Sequence, residues 1–316
     1  MANIVLKGNT SGSITIASPD VSGVNVLTLP VETGTILTTN TPLPEVSSVE
    51  FAGAGTSSGN ITITAPDTDE TNTLTFPETT GTFATENSLG MRNLIINGNM
   101  AIDQRNAGAS VTPINQQYTI DRWRGVMSQS SKFSVQQNAG SVTPPAGFSN
   151  YLGIVSLSAY SVPSSEVFSL SQSIEGYNIA DLRWGTANAK TVTLSFQVYS
   201  SLTGTFGGSL QNASVNRSYP FSFTVSVANT WTTISITIAG DTSGSWNDTN
   251  STGILLSFGL GAGSTWSGTA GAWVGANYYS ATGATSVVGT SGATFYVTGV
   301  QLEANTTATP FEHLQY

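Results

Sequence analysis

One segment of this chain is written twice. Residues 11–40 align with residues 58–87 at a constant offset of 47 and without a gap, and sixteen of the thirty positions are identical. The matches include Ile14/Ile61, Ile16/Ile63, Pro19/Pro66, Asp20/Asp67, Leu27/Leu74, Pro30/Pro77 and Gly34/Gly81. Each copy reads as a short strand ("SITIA" or "NITIT"), a Pro-Asp turn and a second strand ("NVLTLP" or "NTLTFP"). A Thr-Gly-Thr turn then leads into a third short strand. One face of the first copy offers Ile14, Ile16, Leu27, Leu29 and Ile36, few apolar side chains for so long a segment. Burying each is worth about 1.5–3 kcal/mol, whereas ordering the backbone costs roughly 1–2 kcal/mol per residue. Such a unit is unstable alone. The deficit closes when copies from neighbouring chains share one axial core, which predicts an oligomer, in the first place a homotrimer, with an N-terminal β shaft or collar. The alternative is a tandem pair of small hairpin domains in a monomer.

The stretch Thr38–Glu50, "TTNTPLPEVSSVE", carries two prolines and few apolar residues and reads as a linker. The expected organisation is a first β repeat over 1–40, a linker over 41–47, a second β repeat over 48–91 and a larger module over 92–316. From Arg92 the strands lengthen and gain aromatics. "TVTLSFQV" places Val192, Leu194, Phe196 and Val198 on one face. "FSFTVSV" (Phe221–Val227) and "ISITI" (Ile234–Ile238) alternate in the same way, and Ile254, Leu256, Phe258 and Leu260 share a face in "ILLSFGL". Period-two patterns broken by Gly/Asn/Ser-rich loops predict a jelly-roll-like antiparallel β-sandwich. The one helical candidate is "NIADLRWG" (Asn178–Gly185), long enough for one or two turns. The predicted fold class is therefore all-β throughout.

Composition removes several function classes. Only 9% of residues are charged and the net charge is −9, so a phosphate backbone is repelled and nucleic acid is not an expected partner. No apolar run approaches the ~20 residues that span a bilayer, and no charged-then-apolar leader opens the sequence, so neither membrane insertion nor a secretion signal is expected. The opening "MANIVLKGNT" reads as a cytosolic start. With no cysteine, disulfides, thiolate metal sites and Cys nucleophiles are excluded together.

"RNLIINGNMAIDQRN" (Arg92–Asn106) and "YTIDRWRG" (Tyr118–Gly125) resemble the opening of the C-terminal receptor-binding or carbohydrate-binding module of bacteriophage tail fibre proteins. The resemblance continues through Leu170–Asn212, Asn216–Val225 and Asn229–Trp266. It ends on "FYVTGVQLEANTTATPFEH" (Phe295–His313), whose Gly-Val-Gln-Leu-Glu and Ala-Thr-Pro-Phe-Glu pieces close the sandwich in that family. The Leu-Pro…Thr-Gly-Thr repeats are similar to those upstream of such modules. The resemblance implies a homotrimeric virion fibre made in the bacterial cytoplasm. Its N-terminal region would contact other tail or neck proteins, and its sandwich would face a host-surface glycan or receptor. A neck or head fibre or adaptor of purely structural role is the alternative, and a glycan-cleaving tail protein a further one. Gly268–Gly292 lies outside the resemblance.

Site chemistry points away from an enzyme. The single histidine, His313, lies behind a Pro-Phe-Glu turn, no Gly-x-Ser-x-Gly elbow accompanies it, and packing is the expected role. The carboxylates available as a glycan-hydrolysing pair are Glu166, Glu175, Asp181, Asp241, Asp248 and Glu303. Of these, Glu175 and Glu303 are expected in framework ion pairs with Arg122, Arg124 or Arg183. "DTSGSWNDTN" (Asp241–Asn250) gathers carboxylate and amide oxygens that could hold Ca²⁺, yet it departs from EF-hand spacing, and turn capping is the expected role. No catalytic residue, metal or cofactor is assigned. Sugar binding fits better, because flat aromatic faces stack on pyranose rings without needing net charge. Trp246, Trp266, Trp273, Tyr278 and Tyr279 lie in Gly/Ser/Asn-rich loops and are the expected glycan contacts, whereas Trp123, Trp184 and Trp231 follow the framework pattern and are expected in the core. Light scattering tests the shared-core argument. A mass near three times 32.8 kDa is expected, and a stable monomer contradicts it.

Overall fold

The computed structural model describes residues 4–7, 13–16, 48–52, 60–64 and 92–313. The chain divides into two compact units, Met1–Gly81 and Thr82–Tyr316. In the first unit β1 (Ile4–Lys7) pairs antiparallel with β2 (Ser13–Ile16), and β3 (Ser48–Ala52) pairs antiparallel with β4 (Asn60–Thr64). β2 and β4 are the two copies of the first strand read from the duplication. Their partners lie upstream of the aligned segment, where the duplication gives no signal. Because Ser48–Glu50 opens β3, the linker reading of Thr38–Glu50 runs three residues too far. Register sets Ile4 opposite Ile16 in one hairpin and Phe51 opposite Ile61 in the other, a shift of two residues between the copies. A shift of two preserves which residues share a face, whereas a shift of one would exchange the faces. The Pro-Asp turns, the later strands of each copy and residues 41–47 lie outside the described residues.

The second unit is an antiparallel sandwich. One sheet runs in the order β13 (Thr232–Ile238), β10 (Val192–Ser200), β17 (Thr294–Glu303), β8 (Leu152–Ser156) and β7 (Phe133–Gln137). The other runs β12 (Ser218–Val225), β11 (Gly204–Asn212), β14 (Thr252–Ala262), β9 (Val167–Glu175), β6 (Trp123–Met127) and β5 (Tyr118–Ile120). A short parallel pair, β15 (Ser267–Gly268) and β16 (Ser280–Ala281), lies in the connection between β14 and β17.

Period two decides what the sheets bury. Val192, Leu194, Phe196 and Val198 are all buried, as are Ile254, Leu256, Phe258 and Leu260 on the opposing sheet. Phe196 meets Phe258 and Phe223 edge-on, each at 5.0 Å, and Trp123 stacks on Phe258 at 6.1 Å. Edge-to-face and offset geometries suit the ring quadrupoles. On edge strand β13, Ile234 and Ile236 are only half-buried and alternate with exposed Thr233, Ser235 and Thr237. Two expected core residues sit elsewhere. β12 stops at Val225, and Val227 is exposed because the chain has turned so that the Asn229 amide reaches the Ser200 carbonyl. Trp231 is half-buried beside Tyr151 and Tyr199, outside the main core, with its indole N–H on the Thr143 carbonyl.

Side-chain amides close the module where its first and last segments meet. Asn93 accepts the Ile95 and Leu302 amides and donates to the Val300 carbonyl. Gly98 allows this closeness, since a Cβ there would strike the Val300 carbonyl oxygen that faces it. The expected helical turn within Asn178–Gly185 is a single 3-10 turn over Ala180–Leu182, and a second 3-10 turn, Gly176–Asn178, precedes it. All six tryptophans lie in the sandwich unit, so their fluorescence reports its unfolding alone. Phe258→Ala is expected to cost about 3–5 kcal/mol in a denaturant titration read this way, with an unchanged m value.

Candidate functional site

The connection from β9 to β10 and the loop from β13 to β14 meet around a buried ion pair. Asp241 is 2% exposed, and a carboxylate that deep requires a paired, hydrogen-bonded partner. Arg217 supplies it in bidentate form, Nε to Oδ2 at 2.8 Å and Nη2 to Oδ1 at 2.5 Å. The hydrogen bond to Asp241 is the main reason the Arg217 guanidinium is held above its ordinary range. Asp241 also accepts the Ser243 amide on Oδ1 and the Gly185 amide on its carbonyl, which ties the two connections together. Gly185 has φ +85, and a Cβ there would lie 2.7 Å from the Gly244 carbonyl oxygen and 3.3 Å from Trp246 Cδ1. Only glycine lets the loop come this close.

That approach brings three tryptophans into mutual edge-to-face contact. Trp184 and Trp246 are 4.7 Å apart, Trp184 and Trp273 5.2 Å, and Trp246 and Trp273 5.3 Å between ring centroids. Tyr219 extends the group at 5.3 Å from Trp273. Each indole N–H of the trio donates to a backbone carbonyl, those of Lys190, Ser243 and Ala239. What the cluster presents outward is therefore ring surface. It borders a cleft of about 360 Å³, with Trp184 and Trp246 among its walls beside Ile179 and Ala180. Arg183, Thr186, Asn188, Asn247 and Asp248 add polar groups to the lining. Tyr177 stands close by at 69% exposure, and its amide donates to the Thr249 carbonyl in the same loop. Aromatic walls with a few convergent hydrogen-bonding groups are the chemistry of a polyhydroxylated, ring-shaped ligand.

The five aromatics singled out in the sequence fall into two groups. Trp246 and Trp273 belong to the trio. Trp266 and Tyr279 lie together elsewhere, at 5.8 Å, over Val126, Val167 and Leu255 on the outer face of the six-stranded sheet. Tyr279 is buried rather than exposed, because the β15–β16 pairing folds its segment down onto that face. Burial raises its hydroxyl pKa. Tyr278 is half-buried, with its ring over Gly268. Trp184, expected in the core, is indeed only 6% exposed but also forms a wall of the cleft. The exposed Tyr177 carries no sequence signal beyond its place in a turn, and Arg183, named as a possible partner of Glu175 or Glu303, pairs with neither.

The charged residues sort by partner. Arg122 pairs with Glu175 at 2.5 Å, as expected. Glu303 meets no arginine. It is 2% exposed and accepts the Thr309 amide, the Thr309 hydroxyl and the Gln301 side-chain amide, three donors that satisfy a buried carboxylate without a cation. His313 packs against Phe311 at 4.9 Å and Phe148 at 5.6 Å. The Ca²⁺ reading of Asp241–Asn250 conflicts with Asp241 being taken by Arg217 and Asn247 Oδ1 by the Thr249 amide and hydroxyl. Among the described residues no group of three or more acidic or histidine side chains is placed to hold a metal ion.

No family model matches this chain, and no curated protein does. Among solved structures it is similar to a putative sugar binding protein from Bacteroides thetaiotaomicron VPI-5482, at 13% identity over 67% of this chain and 100% of that one, TM-score 0.39. It is also similar to the enzymatically active domain of bacteriophage CBA120 tailspike protein 4, at 12% identity over 67% of this chain and 21% of that one, TM-score 0.35. A family 11 carbohydrate-binding module from Clostridium thermocellum shows 13% identity over 61% of this chain and 95% of that one, TM-score 0.32. Likeness at this level assigns neither ligand nor activity. The Arg217–Asp241 pair gives a direct test of how the cleft is built. Asp241→Ala strands a partly buried guanidinium and is expected to cost about 3 kcal/mol. Near-ultraviolet circular dichroism is expected to lose the signal of the coupled indoles.

Proposed function

We propose that this protein is a non-enzymatic glycan-binding β-sandwich carried on a homotrimeric bacteriophage fibre. The observation that carries the reading is the cleft walled by Trp184 and Trp246 and rimmed by short polar and charged side chains. Ring surface for the apolar face of a sugar and hydrogen-bonding groups for its hydroxyls occur there together. The negative net charge disfavours nucleic acid as the ligand. Glycoside hydrolysis uses two carboxylates flanking the bond, and the cleft lining includes one, Asp248. The fibre part of the proposal rests on the duplicated N-terminal unit and on the family resemblance of the module. In it the N-terminal region meets other tail or neck proteins of the virion, and three sandwiches face the host. Three weak sites on one particle raise avidity by two to four orders of magnitude.

A purely structural neck or head fibre is the second reading. It is favoured by the indole N–H groups, each satisfied by a backbone carbonyl as a packing cluster requires. Trp246→Ala separates the two. If the cleft binds host glycan, adsorption of the fibre to host cells falls at least tenfold while mass and a cooperative unfolding transition, at a lower midpoint, are retained. Unchanged adsorption supports the structural fibre, and release of reducing ends from host polysaccharide contradicts the non-enzymatic reading.

A further inference from the structure

Charged side chains are scarce in this chain, nine basic and eighteen acidic in 316 residues, and the sandwich engages nearly all it has. Arg105, Arg122, Lys190 and Arg217 form ion pairs, Arg124 bonds the Ser173 hydroxyl, and Lys132 sits 4.0 Å over the Tyr160 ring. Arg92 is engaged as well. Among the carboxylates whose side chains are described, every one but Asp248 accepts an ion pair or a hydrogen bond. Two charges are left over. Arg183 and Asp248 are exposed, their side chains make no ion pair, hydrogen bond or ring contact among the described residues, and both line the Trp184–Trp246 cleft.

Their placement is fixed by local structure. Arg183 ends the 3-10 turn Ala180–Leu182 in the left-handed conformation, φ 53 and ψ 32, an uncommon state for a residue with a side chain. Asp248 lies between Asn247 and Thr249, which are locked by the hydrogen bonds from the Thr249 amide and hydroxyl to Asn247 Oδ1. Opposite charges on one cleft would gain by pairing, yet no ion pair joins them.

We infer that Arg183 and Asp248 are the hydrogen-bonding arms of the cleft and that its ligand is a glycan of neutral hexose units with adjacent free hydroxyls. The inference rests on the glycan reading above and names the class of sugar. A carboxylate accepts from two hydroxyl donors, and a guanidinium donates to hydroxyl oxygens, so the two arms read one diol-bearing ring from opposite polarities. Their charges cancel, which favours a ligand with many donors and acceptors and no net charge. An acidic sugar would gain at Arg183 but lose at Asp248, on a chain already at −9. An amino sugar would gain at Asp248 but lose at Arg183, whereas a neutral ring uses both arms without a repulsive contact.

Calorimetric titration of the full chain with neutral trisaccharides of glucose, galactose and mannose, and with their uronic-acid counterparts, tests this. At least one neutral trisaccharide is expected to bind, with an affinity that changes less than about twofold between low and high salt. Arg183→Gln and Asp248→Asn are each expected to weaken that binding about tenfold or more. Thermal unfolding should stay unchanged, because neither side chain has a partner among the described residues to lose. Preference for a uronic-acid trisaccharide overturns the inference. So do two variants that bind like the unmodified chain while Trp246→Ala loses binding, an outcome that leaves the glycan reading intact. Absence of binding by every sugar removes both.

Discussion

A two-sheet sandwich leaves backbone donors and acceptors without a strand partner wherever its first and last segments cross the ends of the sheets, and buried groups of that kind must be satisfied. Here carboxamides take the place of missing strands, because each carries a donor and an acceptor and can replace a backbone neighbour in both directions. Gln172 accepts the Ile96 amide and donates to the Ile96 carbonyl. Asn97 does the same for Ile102 and also donates to the Asp121 carbonyl. The Trp123 indole closes the set on the Asn97 carbonyl. At the far end of the chain, Gln301 accepts the Glu312 amide, and Glu312 accepts the Asn93 amide. Opening and closing segments are thereby held together with no disulfide, which a chain free of cysteine could not form.

The same chemistry constrains the opening segment. In "NLIINGNM", Asn93 and Asn97 each bond backbone as donor and acceptor, and a side chain lacking either group would leave a buried partner unpaired. The strands were legible from the sequence. Phe196, Leu256 and Phe258 announce their faces because alternation has one physical meaning in a sheet with one buried side. Alternation failed where chain direction, not pattern, decides: Val227 continues the alternation of β12, yet the strand ends two residues earlier. It was also silent at β1 and β3, which lie outside the duplicated segment.

The candidate site was half legible. Loop composition marked Trp246 and Trp273, because an indole among Gly, Ser and Asn has few strand neighbours to bury it. Trp184 was hidden, since its burial and its place in the cleft wall both follow from one packed position. Tyr279 shows the converse. Its loop composition suggested exposure, but a tertiary event, the pairing of Ser267–Gly268 with Ser280–Ala281, pressed it onto the sheet. Glu303, in a framework strand, was expected to pair with an arginine, but it is buried, and a buried carboxylate needs donors rather than a cation as such. Three well-placed donors from Gln301 and Thr309 meet the same requirement.

Asp241 and Asp248 sit seven residues apart in one loop and meet opposite fates, which explains how the cleft can be both rigid and unsatisfied. The buried carboxylate is clamped by Arg217 and anchors the loop to Gly185, so the wall carrying Trp246 is set before any ligand arrives. A preset wall loses less conformational freedom on binding, and that saving matters most for a small site whose contacts are few. The exposed carboxylate has no partner among the described residues, so on the proposed glycan reading a ligand hydroxyl that reached it would break no bond to them. Reversing the two roles would fail on both counts: an unpaired carboxylate at the position of Asp241 would be stranded in the interior, and a clamped one at the position of Asp248 would have nothing left to offer a ligand. The loop therefore separates the charge that builds the cleft from the charge available to a ligand.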